Sequence, residues 1–241
     1  MNAPDPKGPP NEVEIIKSHS RLLRDLIQAG DLGRILFATS LFATQPHHLY
    51  QGNTVVTDAP IAGAMWWPGK DTYSEPARGG GQLLTQVTHS ASLLFFLTGL
   101  RPSHVHAFTD NYDTRVDVWD AVTFRTADGA VGSVASTGTV PLTQKTVEEI
   151  RIFGSAGHAA IDTTRGALAI YTADGATRDE TPLTAEEQYP LQKTSQHLVD
   201  VILGRAAPLV TGDLGLLTVE FLAAARESSQ TGQIVEMPAA S

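Results

Sequence analysis

The residue with the widest chemical reach is His89, four positions after Thr85 in the stretch GQLLTQVTHSASLL. If that stretch is helical, the spacing puts Thr85 and His89 on one face with Gln82 and Gln86 beside them, away from Leu83, Leu84, Val87 and Ala91. One imidazole, one hydroxyl and two carboxamides in a stripe suit hydrogen bonding to a polyol or a carboxylated ring. An imidazole titrating near neutrality can also take the proton that a hydroxyl sheds when it is oxidised. Taken alone, His89 reads first as a solvated helix residue. Ahead of it, Gly79-Gly80-Gly81 lets backbone approach a ligand closely, at Gly81 above all, or serves as a loose helix entry. Trp66 and Trp67 can wall an apolar pocket and Arg78 or Lys70 can hold a carboxylate, although each reads more readily as packing or surface.

Other chemistries are disfavoured. His104 and His106 share a strand face and His47 and His48 are adjacent, but no carboxylates are spaced to complete a metal site, so no metal is expected. Glu148 and Glu149 read as the solvated start of a strand. Without cysteine there are no disulfides, thiolate nucleophiles or Cys-based metal sites. A net charge of −9, with 17 scattered Lys and Arg, argues against a nucleic-acid surface. The longest apolar run, Leu93 to Leu97, is too short to span a bilayer, and the start of the chain lacks a signal-peptide core, so a cytoplasmic protein is expected.

With 41% hydrophobic and 18% charged residues, the 241-residue chain can bury one sizeable core. Residues 1–12, rich in proline, read as a disordered lead-in, and 13–241 as one domain. Apolar spacing predicts a helix from Val13 to a closing Gly30, then a strand over Ile35 to Ala43. A long aperiodic segment follows to Arg78, and a second helix ends at Gly99. Short β-branched runs with turn signals from Ser103 to Tyr171 predict an antiparallel meander. Helices over Leu191 to Leu203 and Leu214 to Gln230 follow, with a last strand over Ile234 to Met237. The fold class is α+β, an open, mainly antiparallel sheet with helices packed on one face. The strands around Val118 to Thr137 are mildly apolar on both faces, so the uncovered face calls for a partner, and a homo-oligomer is expected.

Five stretches in order, LIQAGDLGRI, the glycine block through LLFFLTG, DAVTFRTADGAVGSV, IRIFGSAGHAAID, and AAARESSQTG running into GQIVEM, resemble the glucose-fructose oxidoreductase and inositol dehydrogenase (Gfo/Idh/MocA) family. The likeness begins near that family's domain junction. It implies a substrate-binding and oligomerisation domain in which His89 is the acid/base for a hydroxyl that becomes a carbonyl, with Thr85 where the family places an aspartate. It implies a small-molecule substrate, a cyclic polyol, sugar or dihydrodiol. The family's NAD or NADP is expected for the full enzyme but not on this chain, because no G-x-G-x-x-G turn stands between a strand and a helix. Hydride transfer is then expected only where a Rossmann domain is supplied elsewhere, as by a separate subunit, and the chain reads equally as a stand-alone domain, a fragment of a larger gene product or one component of a split enzyme. The alternatives are a non-catalytic ligand-binding or assembly module, and a non-redox acid/base enzyme using His89.

Overall fold

The computed structural model describes residues 12–53, 69 and 71–238. The predicted first helix is two: α1 (Glu12–Ile16) and α2 (Ser18–Ala29) break at Lys17, whose ψ of 142° is extended and whose side chain turns inward and is buried. Gly30 ends α2 at φ 90°, its N–H and that of Asp31 meeting the Ile27 and Leu26 carbonyls, as a C-terminal glycine should. After β1 (Ile35–Ala43), the segment read as aperiodic holds α3 (His47–Tyr50), α4 (Asp71–Ser74) and a 3₁₀ turn over Pro76–Arg78. A π-helical turn, Leu83–Val87, runs into α5 (Thr88–Thr98). Then follow β2 (Pro102–Asp110), β3 (Trp119–Thr126), β4 (Val131–Thr137), β5 (Val147–Gly154), β6 (Gly157–Asp162), β7 (Ala167–Thr172) and β8 (Thr177–Asp179). The chain closes on α6 (Ala185–Gln188), α7 (Leu191–Ile202), α8 (Gly212–Thr231) and β9 (Val235–Glu236).

Among the described residues the strands form one nine-stranded sheet, ordered β8-β7-β6-β5-β1-β4-β3-β2-β9. The expected meander is therefore interrupted. β1 lies between β4, to which it is parallel, and β5, to which it is antiparallel, so β4 reaches β5 only by crossing its end. Turn signals report neighbours along the chain, and nothing local reports an earlier strand inserted between two later ones.

Helices cover one face. Alternation sets the sides: Val118, Val122 and Phe124 with Gly132, Val134 and Ser136 point under the helices, whereas Trp119 and Val131 point out. The core centres on Phe95 of α5, Phe124 of β3 and Phe221 of α8, packed edge to face at 5.1–5.9 Å between centroids, the geometry that ring quadrupoles favour. Ser228 of α8 accepts the N–H of Ala107 at 3.0 Å and donates to Gln233, tying helix and last strand to β2 where the short β9 leaves that strand unpaired.

The open face carries one apolar row, and the next row along it, through Arg151, Thr39, Ser133 and Thr123, is polar. Tyr171, His158, Phe153, Phe37 and Val131 stand directly opposite one another on five adjacent strands. The first four rings follow at 4.5, 5.5 and 6.1 Å. Leu41, Phe108 and Trp119 extend this exposed surface.

Candidate functional site

The helix that bears His89 starts at Gly81. Asp117, just before β3, caps it: its Oδ2 accepts the Leu83 N–H at 2.5 Å and its carbonyl the Gln82 N–H at 2.9 Å, satisfying donors that a helix start leaves open. Gly81 has φ +103°, and a Cβ there would lie 2.3 Å from Asp117 Oδ1; at Gly80 it would lie 2.3 Å from the Tyr73 carbonyl oxygen. The glycine block therefore holds its own chain and makes no cradle for an external anion. Gly81→Ala should cost about 2 kcal/mol, from the left-handed backbone and the displaced cap together. Chemical denaturation measures this, and an unchanged midpoint would remove the role given to Gly81.

The predicted stripe divides. Gln82 is fully buried and accepts from the Tyr50 hydroxyl at 2.7 Å, while its amide donates to Thr44 Oγ1 at 3.3 Å. Thr85 donates to the Gly81 carbonyl at 2.6 Å and shares the Tyr50 hydroxyl at 3.1 Å. Gln86 and His89 are half-buried. The π-turn is the reason, because its extra residue rotates everything after it by about 100° relative to an uninterrupted α-helix. His89 is thereby laid over Phe42 of β1, ring centroids 6.1 Å apart, and among the described residues no group hydrogen-bonds to its imidazole. Desolvation there pushes its pKa down to about 4, so at neutral pH it is an uncharged acceptor. Arg78 is exposed on the 3₁₀ turn before the helix; Trp66, Trp67 and Lys70 lie outside the described residues.

Two buried carboxyl groups flank Phe42 along one row of the covered face, Glu148 on β5 and, beyond Ser136 of β4, Asp120 on β3. Burial, reinforced by Asp117 alongside, raises Asp120 to about 9; Ser136 Oγ donates to its Oδ2 at 3.0 Å. Burial likewise raises Glu148, which is 2% exposed and not on a solvated edge as its sequence suggested, because β5 is an interior strand. Tyr50, Asp117 and Asp120 escaped the sequence reading, though Asp120 and Glu148 left a signal: each falls in the buried phase of its strand, with Val118, Val122 and Phe124, and with Ile150 and Ile152. His47 pairs with Asp113 at 2.6 Å, and among the described residues no group of three metal-ligating side chains gathers.

This sheet, with its helical cover on one side, is a fold also found in solved oxidoreductase structures. It superposes on an oxidoreductase domain protein of Kribbella flavida (TM-score 0.75, 21% identity, 94% of this chain and 64% of that one). It likewise matches an aldose-aldose oxidoreductase of Caulobacter crescentus (0.71, 20%, 93% and 62%) and an NAD binding oxidoreductase of Klebsiella pneumoniae (0.72, 14%, 95% and 65%). The chain belongs to the GFO/IDH/MocA family, whose C-terminal domain model matches residues 20–160. It spans less than two thirds of the length of each of these solved structures. No curated protein matches it.

Proposed function

We propose that the chain is the substrate-binding and assembly domain of an oxidoreductase acting on a cyclic polyol, sugar or dihydrodiol, with His89 taking up the hydroxyl proton. The observation that carries this is His89 itself, an uncharged imidazole without a hydrogen-bond partner among the described residues, set by a π-turn over Phe42. The Caulobacter relative was crystallised with glycerol, a small polyol, and the Klebsiella relative binds NAD. Among the described residues the glycine block, filled by Tyr73 and Asp117, does not fit a nicotinamide dinucleotide. Hydride acceptance is therefore assigned to a Rossmann domain outside these residues, and the share of the residues here is to bind, orient and deprotonate. Thr85 in place of a carboxylate, bonded to Tyr50 and Gly81, favours the second reading, a binding module without catalysis.

The test is nitrogen-15 NMR of the His89 ring during titration with myo-inositol, glucose and a cyclic cis-dihydrodiol, alongside calorimetry with NAD and NADP. A His89 shift with one of the three and no nucleotide binding is expected. Micromolar nucleotide binding overturns the domain assignment, and an unmoved His89 overturns the site.

Assembly is assigned to the open face, where Leu41, Phe37, Phe153, Phe108 and Trp119 stand exposed on neighbouring strands. The chain should be at least dimeric by light scattering, and Phe37→Asp, at the end of the ring row on the central strand β1, should shift it toward monomer. A wild-type monomer at every concentration contradicts this.

A further inference from the structure

Under the entry helix lies a buried cluster of charge that binding and catalysis leave unused. Lys17, 4% exposed, donates through Nζ to Glu14 Oε2 at 2.5 Å and to the Thr163 carbonyl at 3.1 Å. The Thr163 hydroxyl donates to Glu148 Oε2, and Glu148 Oε1 has no hydrogen-bond partner. The groups facing Glu148 are Glu14 from α1, Lys17 from the α1–α2 break and Asp162 from the end of β6. Asp162 is turned to its own loop, where it accepts from Thr164 and Arg165 and pairs with the Arg165 guanidinium at 3.5 Å. Tyr189 places its ring 5.7 Å from Lys17 Nζ. From β1 the neighbour is Phe42, and His89 above it is uncharged at neutral pH.

Two carboxyl groups thus share one ammonium, with Lys17 and Glu148 buried and Glu14 partly exposed. The cluster is neutral only while one of them keeps a proton. Glu14 is bonded directly to Lys17, so the proton belongs on Glu148, whose pKa burial and the Glu14 charge push up to about 8 against the pull of Lys17. Loss of that proton leaves an uncompensated negative charge, and the less firmly bonded wall is the one that must yield. β5 is bonded on both sides, to β1 and β6. By contrast, α1 is five residues long, too short to stand by itself, and is joined through the extended Lys17.

We propose that Glu14, Lys17, Thr163 and Glu148 form a proton-operated latch that seats α1 when Glu148 is protonated and frees it when the proton leaves. The freed helix would uncover Ile15 and Ile16, and with them the cavity of about 100 Å³ that they line with Leu198 and Val201 of α7 and with Leu209. The latch is independent of the His89 reading.

Isoleucine methyl NMR from pH 6 to 9.5 tests it, with Ile152 and Ile161 of the sheet as internal references. The released fraction seen at Ile15 and Ile16 should follow deprotonation, rising about tenfold from pH 7 to 9.5 while the sheet methyls hold. Glu148→Gln should keep α1 seated throughout. Glu14→Gln, which leaves Lys17 free to pair with ionised Glu148, should also suppress release and carries the test if the first variant does not fold. Wild-type methyls unchanged to pH 9.5, or release with an unaltered midpoint in every variant that folds, overturns the latch.

Discussion

Replacing His89 with Asn is expected to reduce turnover by about 10²- to 10⁴-fold in the enzyme completed by a nucleotide-binding domain, while leaving this domain folded. At about 1.4 kcal/mol per decade this is a loss of roughly 3–5 kcal/mol of transition-state stabilisation. Asn has similar bulk and can rest over Phe42, but it cannot accept a proton. The imidazole should remain neutral down to about pH 4, which NMR titration reads directly. The sign for stability follows from a folded-state pKa below the unfolded value near 6.5: His89 favours the native state above pH 6.5, and this contribution is lost as the pH falls from 6.5 through about 4. Asn at 89 should therefore flatten the acid limb of the stability curve. Full turnover in the variant would remove His89 from the chemistry and leave the binding-module reading in its place.

Asp120→Asn is expected to stabilise the protein at alkaline pH. The Asp120 carboxyl is raised from 3.8 to about 9 by burial, with the nearby Asp117 charge adding to it, so the folded chain holds a proton that the unfolded chain releases. A raised acid favours folding fully below pH 3.8, and this support drains away as the pH climbs through about 9. One retained proton is worth about 1.4 kcal/mol per pH unit, hence roughly 3 kcal/mol between pH 6 and 8. Asn imitates the protonated acid, accepting from Ser136 and offering N–H groups toward Asp117, but does not titrate. Urea unfolding at pH 6, 7 and 8 should show the variant's slope lower by about one proton, with the variant the more stable at pH 8. Parallel slopes would mean that Asp120 is ionised in the native state, which its 4% exposure makes costly.

Much of this was readable locally. Alternation in DAVTFRT assigned the two faces of β3 correctly, because a strand turns every second side chain to the same side. Gly30 and Gly99 closed their helices in left-handed conformations that glycine adopts without strain. Apolar residues on both sides of the central strands foretold large apolar side chains exposed on the open face, and the order of five short stretches identified the family.

What the residues determined by themselves was the set of elements, their sidedness and the presence of His89 on a helix behind a glycine block, since these depend on periodicity and backbone freedom over a few residues. Only the tertiary structure decided that β1 enters between β4 and β5, for strand order is a matter of which edges meet and leaves no mark on local spacing. It also decided that Gln82 and Thr85 bond inward to Tyr50 while His89 lies over Phe42, because the π-turn adds a residue that no helical wheel includes. The protons on Asp120 and Glu148 belong to the same category. A carboxyl group's pKa depends on how much water its neighbours exclude and which charges they bring, and those neighbours come from distant parts of the chain.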